Sequence, residues 1–333
     1  MEPEVIERIW KIFFPEANSQ VERLRAQGTR FVHYTSAESG MKILGSNQML
    51  LRNSTMMNDF SEVQYGMNCL NTAYEGPLGE RLKTAMRVVQ NDLPEIVQES
   101  FNEQFADVRA ETYLVSISEH GDPEHGDQLE DAFGRLSMWR AYANQNGIAL
   151  VFKNAPFLTE SNALNAFTSP VIYTTSDSYH QYFEKFVSGI ETEIDLIALA
   201  GGQFFHDNLI NAFRLAVQST KHPSFREERE WRVIYSPTLL QRQGLLTPDQ
   251  LEKIPTQIMT LNGVPQRVYA IPFRNYPDEG FVGATIPELI DRILIGPSPD
   301  AYPIAQAFVA ELNRCGVEDA HERVWITGVP LRV

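Results

Sequence analysis

The sequence predicts an α+β fold, built on a mixed, mainly antiparallel sheet with added helices. Three observations carry this expectation. Short apolar runs at 113–118, 147–152 and 231–235 have the length and composition of strands. Amphipathic helical patterns lie between them, and the two kinds of element mix without a regular βαβ alternation. Neither a GxGxxG run nor a GxxxxGK run followed by Ser or Thr occurs, so a doubly wound nucleotide-binding fold finds no support.

Taken in order, residues 4–26 carry a helical period through Val5, Ile9, Ile12 and Phe13, then Val21 and Leu24. Pro15 interrupts it and Gly28 closes it, which predicts a helical hairpin. This N-terminal extension spans residues 1–28, and residues 29–333 form a single α+β domain. Residues 29–34 read as a strand, Ser36 as the cap of a helix that stops at Gly45, and 48–51 as the next strand. Helices are expected at 61–73 and 78–107, then a strand at 113–118. The polar, turn-rich stretch 119–131 reads as a surface loop and a candidate acidic lid. A short helix begins at Ser137 and the strand 147–152 follows. Long helical patterns fill 178–219, and Thr247-Pro248 carries the signature of a capped helix start. The C-terminal part reads strand (267–271), strand (292–295, stopped by Gly296-Pro297), helix (302–314) and strand (323–326).

Composition narrows the function classes. The 333 residues are 43% hydrophobic and 21% charged, enough for a globular core. Asp and Glu number 43 against 28 Lys and Arg, a net charge of -15. That argues against broad, sequence-blind binding to nucleic acid or anionic membrane, though not against a local basic groove. No window approaches the ~20 apolar residues of a membrane span. The start, Met1-Glu2-Pro3-Glu4, is acidic and without the apolar run of a secretory signal. Only Cys69 and Cys315 occur, far apart, as in a reducing compartment, and there is no HExxH spacing. A cytoplasmic protein without a metal is the expectation, with room left for a homo-oligomer.

Four polar clusters mark the candidate site. In His33-Tyr34-Thr35-Ser36, at a strand end, a neutral imidazole can bond a hydroxyl or phosphate oxygen, and a tyrosine can stack. Strand alternation puts His33 and Tyr34 on opposite faces. The structural alternative is a core tyrosine and one imidazole hydrogen bond. Asn58, Asp59 and Glu62 form a polar rim for a substrate, or a capping box from Asp59 to Glu62. Trp139 and Tyr142 share a helical face, either as core or with Tyr142 reaching a pocket. Glu228 and Glu230, an ExE pair entering a strand beside Arg226, Arg229 and Arg232, carry the strongest chemical signal. One carboxylate can accept from a sugar hydroxyl while the other polarises a nucleophile; the structural alternative is a salt-bridged strand edge.

The order of these motifs resembles the bacterial DUF2971 family. HYTS and LRNS…MNDFSE come first, then YLVSISE, MWRAYA and GIALVF, then REEREWRVIY, IDRILIGPSP and ITGVPLR. The likeness runs from about Phe31 to Arg332. A strand ending in His-Tyr/Thr and a late ExE are also similar to the NAD-binding core of the ADP-ribosyltransferase superfamily. That likeness implies a sheet core of the same type and an NAD+-using enzyme, a toxin or anti-phage effector among its roles. It implies that His33 with Thr35 holds NAD+, that Tyr34 or Tyr142 stacks on nicotinamide, and that Glu230 binds the ribose. Ser116 and Ser118, in Ser-Ile-Ser, resemble the Ser-Thr-Ser strand of one branch. The acceptor would be a protein or nucleic acid. Two other classes stay open: a metal-dependent nuclease or phosphodiesterase using Asp59, Glu62, Glu228 and Glu230 around Mg²⁺, and a non-enzymatic regulatory or interaction module.

Overall fold

The strand runs foreseen in the sequence assemble around one sheet. The computed structural model describes residues 3–56, 60–121, 128–142, 146–242, 244, 246–261 and 263–330. Its strands are β1 (Arg30–Ser36), β2 (Gln48–Asn53), β3 (Tyr113–His120), β4 (Gly147–Phe152), β5 (Phe167–Pro170), β6 (Ile172–Tyr173), β7 (Thr220–Lys221), β8 (Glu230–Tyr235), β9 (Thr256–Leu261), β10 (Val264–Pro272), β11 (Ile290–Ile295) and β12 (Val324–Ile326). Ten of them form one sheet with the path β12-β11-β4-β1-β3-β2-β10-β9, and β8 pairs with both β3 and β5. Every pairing in it is antiparallel except β11 with β12. The short β6 and β7 pair in parallel beside it. The architecture is therefore α+β on a mixed, mainly antiparallel sheet.

Side-chain alternation separates the two faces of this sheet. Phe31, Ile148, Leu150, Phe152, Trp231 and Val233 point into the larger core. Two helices cover that side, α3 (Ala37–Ser46) through Leu44 and α15 (Ala301–Arg314) through Phe308 and Leu312. On the other side Val32, Tyr34, Ala149, Val151 and Leu294 meet Met138 and Trp139 of α8 (Leu136–Tyr142). Ser36 caps α3 by accepting from Ser39 N at 3.1 Å. The helix does not stop at Gly45; it continues to Ser46, and Asn47 takes the left-handed φ of 55° that ends it. Asparagine tolerates that conformation because its short polar side chain bonds locally.

The remaining helices bury a second core of their own. These are α1 (Pro3–Phe13), α2 (Pro15–Gln27), α4 (Phe60–Tyr74), α5 (Pro77–Val89), α6 (Leu93–Ala110), α9 (His180–Thr192), α10 (Ile194–Ala200) and α11 (Gly202–Gln218). Ile9, Ile12 and Phe13 of α1 pack with Phe186, Phe205 and Phe213, so the first helix belongs to this layer. By contrast, Leu24 of α2 joins the sheet core. The pattern at 78–107 is two helices, not one. Gln90 is extended at φ -155°, and Pro94 sits in the first turn of the next helix, where its missing N–H costs nothing. Likewise 178–219 divides at Glu193 and at Gly201, whose φ is 94°. Four short helices complete the set: α7 (Gln128–Phe133), α12 (Pro237–Arg242), α13 (Pro248–Lys253) and α14 (Ile286–Leu289), with α16 (Ala320–Arg323) before β12. The Thr247 start has a full capping box with Gln250.

Helices α4 and α11 approach closely because Gly66 lacks a side chain. A Cβ there would lie 2.2 Å from the Val217 carbonyl oxygen, which is backbone of the facing helix and cannot rotate away. Gly66→Ala is therefore expected to lower stability by about 1–3 kcal/mol despite its better helix propensity. A thermal melt showing a gain would mean that the two helices separate freely.

Candidate active site

The site begins where the sheet opens. Strand β3 pairs with β8 along Tyr113–Ser118 on one side. On its other side it has β1 only from Ser118 to His120 and β2 only at Tyr113 and Leu114. Beyond Val32, β1 therefore parts from β3 while remaining paired with β4. His33 fills the opening: its Nδ1–H donates to the Ser116 carbonyl oxygen at 3.0 Å. Burial lowers the imidazole pKa, so the ring is neutral and Nε2 is left as an acceptor.

Ser116 also faces the other way. Its hydroxyl donates to Glu230 Oε1 at 2.5 Å, so one residue joins the early imidazole to the late carboxylate. By strand parity His33 starts on the Phe31 side and Glu230 on the Val32 side, and the two meet because the sheet is split at this point.

Around Glu230 lies a compact ionic cluster. The Lys221 ammonium stands 2.7 Å from Glu62 Oε1, 2.7 Å from Glu228 Oε2 and 3.2 Å from Glu230 Oε2. Arg232 Nε donates to Glu230 Oε1 at 2.9 Å, and its other nitrogens donate to Glu62 and to the Gln218 carbonyl oxygen. The Glu230 backbone N–H donates to the Tyr173 hydroxyl at 2.8 Å, and the Tyr142 hydroxyl donates to Glu228 Oε1 at 3.0 Å. Glu230, Arg232 and Lys221 are each 6% exposed. Burial alone would raise the Glu230 carboxyl, but Arg232 and Lys221, with hydrogen bonds from Arg232 and Ser116, bring it down to about 2. It is therefore anionic at neutral pH. Burial, together with the neighbouring Glu228 charge, pushes the Tyr142 hydroxyl far up, so it stays a donor.

The ExE pair converges for a reason other than strand alternation. Glu228 closes a 3-10 turn over Pro223–Glu228, Arg229 is left-handed at φ 42°, and only Glu230 begins β8. That φ is unfavourable for a residue with a Cβ, and it is held by Arg229 bonds to the Gly121 carbonyl and to Glu130. Lys221 reaches the pair because α11 ends at Gln218 and β7 sets the next residues beside Tyr173. Sequence reasoning missed Lys221, Tyr173 and Gln218. The sign alternation Lys221…Glu228-x-Glu230-x-Arg232 was the available signal.

The other candidates divide. Tyr142 and Glu62 join the cluster, as do Ser116 and both glutamates. Tyr34 and Trp139 serve the wall behind it. Trp139 is 1% exposed, its ring lies edge-on to Tyr34 at 4.9 Å, and its Nε1–H donates to the Phe133 carbonyl at 2.7 Å. The Tyr34 hydroxyl accepts from Arg135 N at 2.9 Å. Both rings are thus committed on their faces and polar tips. Thr35 pairs with Ile148 on the side of His33, and Ser118 is buried opposite Glu230 in the β3–β8 register. Asn58 and Asp59 lie outside the described residues. The stretch from Glu119 is not all loop: Glu119 and His120 end β3, and Glu119 accepts from the Trp231 indole at 2.9 Å.

Three of the four carboxylates considered as Mg²⁺ ligands do meet, but the point on which they meet is the Lys221 ammonium. Among the described residues no group of three or more His, Cys, Asp or Glu is arranged to hold a metal ion. No described helix is long and apolar enough to cross a membrane.

Residues 138–233 match the family model described as "Protein of unknown function (DUF2971)". The matched span is shorter than Phe31–Arg332. It runs from α8 to β8 and holds Tyr142, Tyr173, Lys221, Glu228, Glu230 and Arg232, while His33, Glu62 and Ser116 lie outside it. No curated protein and no solved structure matches the chain.

Proposed function

We propose that the chain binds NAD+ across the Ser116–Glu230 seam, on a sheet core of ADP-ribosyltransferase type, and breaks the nicotinamide–ribose bond. The supporting observation is that His33 and Glu230, from opposite halves of the chain, both bond to Ser116. In this reading the C1′–N bond breaks with its electron pair leaving on nicotinamide, and positive charge develops on the ribose. Glu230, ionised at neutral pH, is suited to stabilise that charge and to accept from a ribose hydroxyl, and is unsuited to donate a proton. Three carboxylates against Lys221 and Arg232 leave one formal negative charge in excess, which also favours a cationic sugar. The neutral His33 offers Nε2 to a second hydroxyl. Glu228, more exposed and oriented by Tyr142, takes the proton of the incoming acceptor or water as the new bond to C1′ forms.

The test is release of nicotinamide from NAD+ by purified protein, followed by chromatography. Glu230→Gln is expected to slow release by roughly a hundredfold or more, and His33→Ala to act mainly on KM. Tyr142→Phe gives a milder loss and leaves Glu230 untouched. Release that is no faster with wild type than without protein, or equal for wild type and a folded Glu230→Gln variant, removes the reading.

A further inference from the structure

Away from the ionic cluster, the helical layer encloses a cavity of about 90 Å³ between the α1–α2 junction, α9, α11 and β5–β6. Its wall is largely apolar and aromatic, with Phe13, Phe183, Phe186 and Phe213 all buried. Exposure rises toward Glu16 and Lys185, which stand 3.6 Å apart and frame an open side. The wall also includes Ser219, which is 2% exposed and whose hydroxyl has no hydrogen-bond partner in the protein. A buried hydroxyl left without a partner in the wall of an apolar hollow is an anomaly that a ligand polar group would satisfy.

We infer that this cavity is a binding site for a one-ring apolar molecule carrying a single hydroxyl, with the ring among the phenylalanines and the hydroxyl on Ser219. At about 90 Å³ the cavity is smaller than the roughly 150 Å³ closed one that takes up benzene, so a ring fits only by extending through the open side beyond the interior. Edge-to-face contact with several phenylalanines favours an aromatic ring over an aliphatic chain. The requirement for one polar group follows from the lining: among the described residues there, Ser219 holds the one buried side-chain polar atom without a partner, and Ser169 already donates to the Pro170 carbonyl at 3.3 Å. The inference is independent of the NAD+ reading, since no residue of the ionic cluster lines the cavity.

Titration calorimetry with phenol and with toluene tests it. Wild type is expected to bind phenol saturably and more tightly than toluene. Ser219→Ala should weaken phenol roughly tenfold and leave toluene unchanged. Ala216→Phe, which fills the cavity, should abolish both. Absence of saturable phenol binding to wild type overturns the inference. So does equal binding of phenol by wild type and Ser219→Ala, which stands even if the bulkier variant fails to fold.

Discussion

Lys221→Met is expected to lower the free energy of unfolding by about 3–5 kcal/mol. Methionine keeps most of the length and apolar stem of lysine, so the change isolates the charge. The ammonium touches Glu62, Glu228 and Glu230 and lies 4.8 Å from the Phe225 ring centroid. Without it, three carboxylates with little access to water share the single guanidinium of Arg232. Leaving buried charges uncompensated is among the few mechanisms by which one substitution has an effect of this size. Denaturant unfolding at neutral pH measures it. The deficit should narrow in acid, because Glu230 rises from about 2 once the ammonium is gone and protonates more readily. A loss under about 1 kcal/mol, in the range of exposed ion pairs, would mean that water reaches the cluster and that its charges are solvated.

The dependence on Lys221 also shows which parts of the site were legible in the sequence. Glu228 and Glu230 stood out because two carboxylates flanked by arginines at a strand entry are rare in an apolar neighbourhood. Yet their convergence rests on Arg229 being left-handed, and no local pattern specifies a left-handed arginine. Lys221 sits on a two-residue strand whose partner, β6, is equally short. Periodicity cannot find elements of that length. The strands β3, β4 and β8 were legible because each carries an apolar run, and β1 because a short apolar stretch leads into the Ser36 helix cap, while β5, β6, β7 and β9 were not. β9 alternates between exposed and half-buried residues, with Ile258 at 74%, so its sequence lacks a core face. The breaks at Gln90 and Glu193 were hidden for the opposite reason, since the apolar period continues across them. The parting of β1 from β3, which brings His33 to Ser116, depends on pairings between segments more than eighty positions apart and leaves no trace in either segment alone.

Acid should remove a specific increment of stability, and the sign follows from the carboxyl at the centre of the cluster. Glu230 has an ordinary pKa of 4.5 and lies at about 2 in the folded protein, where Arg232, Lys221 and Ser116 outweigh the effect of burial. The unfolded chain therefore binds its proton first as pH falls. The stabilisation is complete above the unfolded value near 4.5 and is lost progressively as pH drops toward 2. At 1.36 kcal/mol per pKa unit the increment is about 3 kcal/mol. Glu230→Gln lacks the titrating group, so its stability should fall less steeply than that of wild type between pH 4.5 and 2. The two curves should converge at the acid end. Asp131 also titrates low, held down by His120 and by Arg30 and Arg292, and it contributes to both proteins alike. The informative quantity is thus the difference between the curves, measured by denaturant unfolding at closely spaced pH. A difference that stays constant across that window would show that Glu230 is not the anion on which Lys221 and Arg232 are organised. The electrostatic role assigned to it at the ribose would then lose its basis.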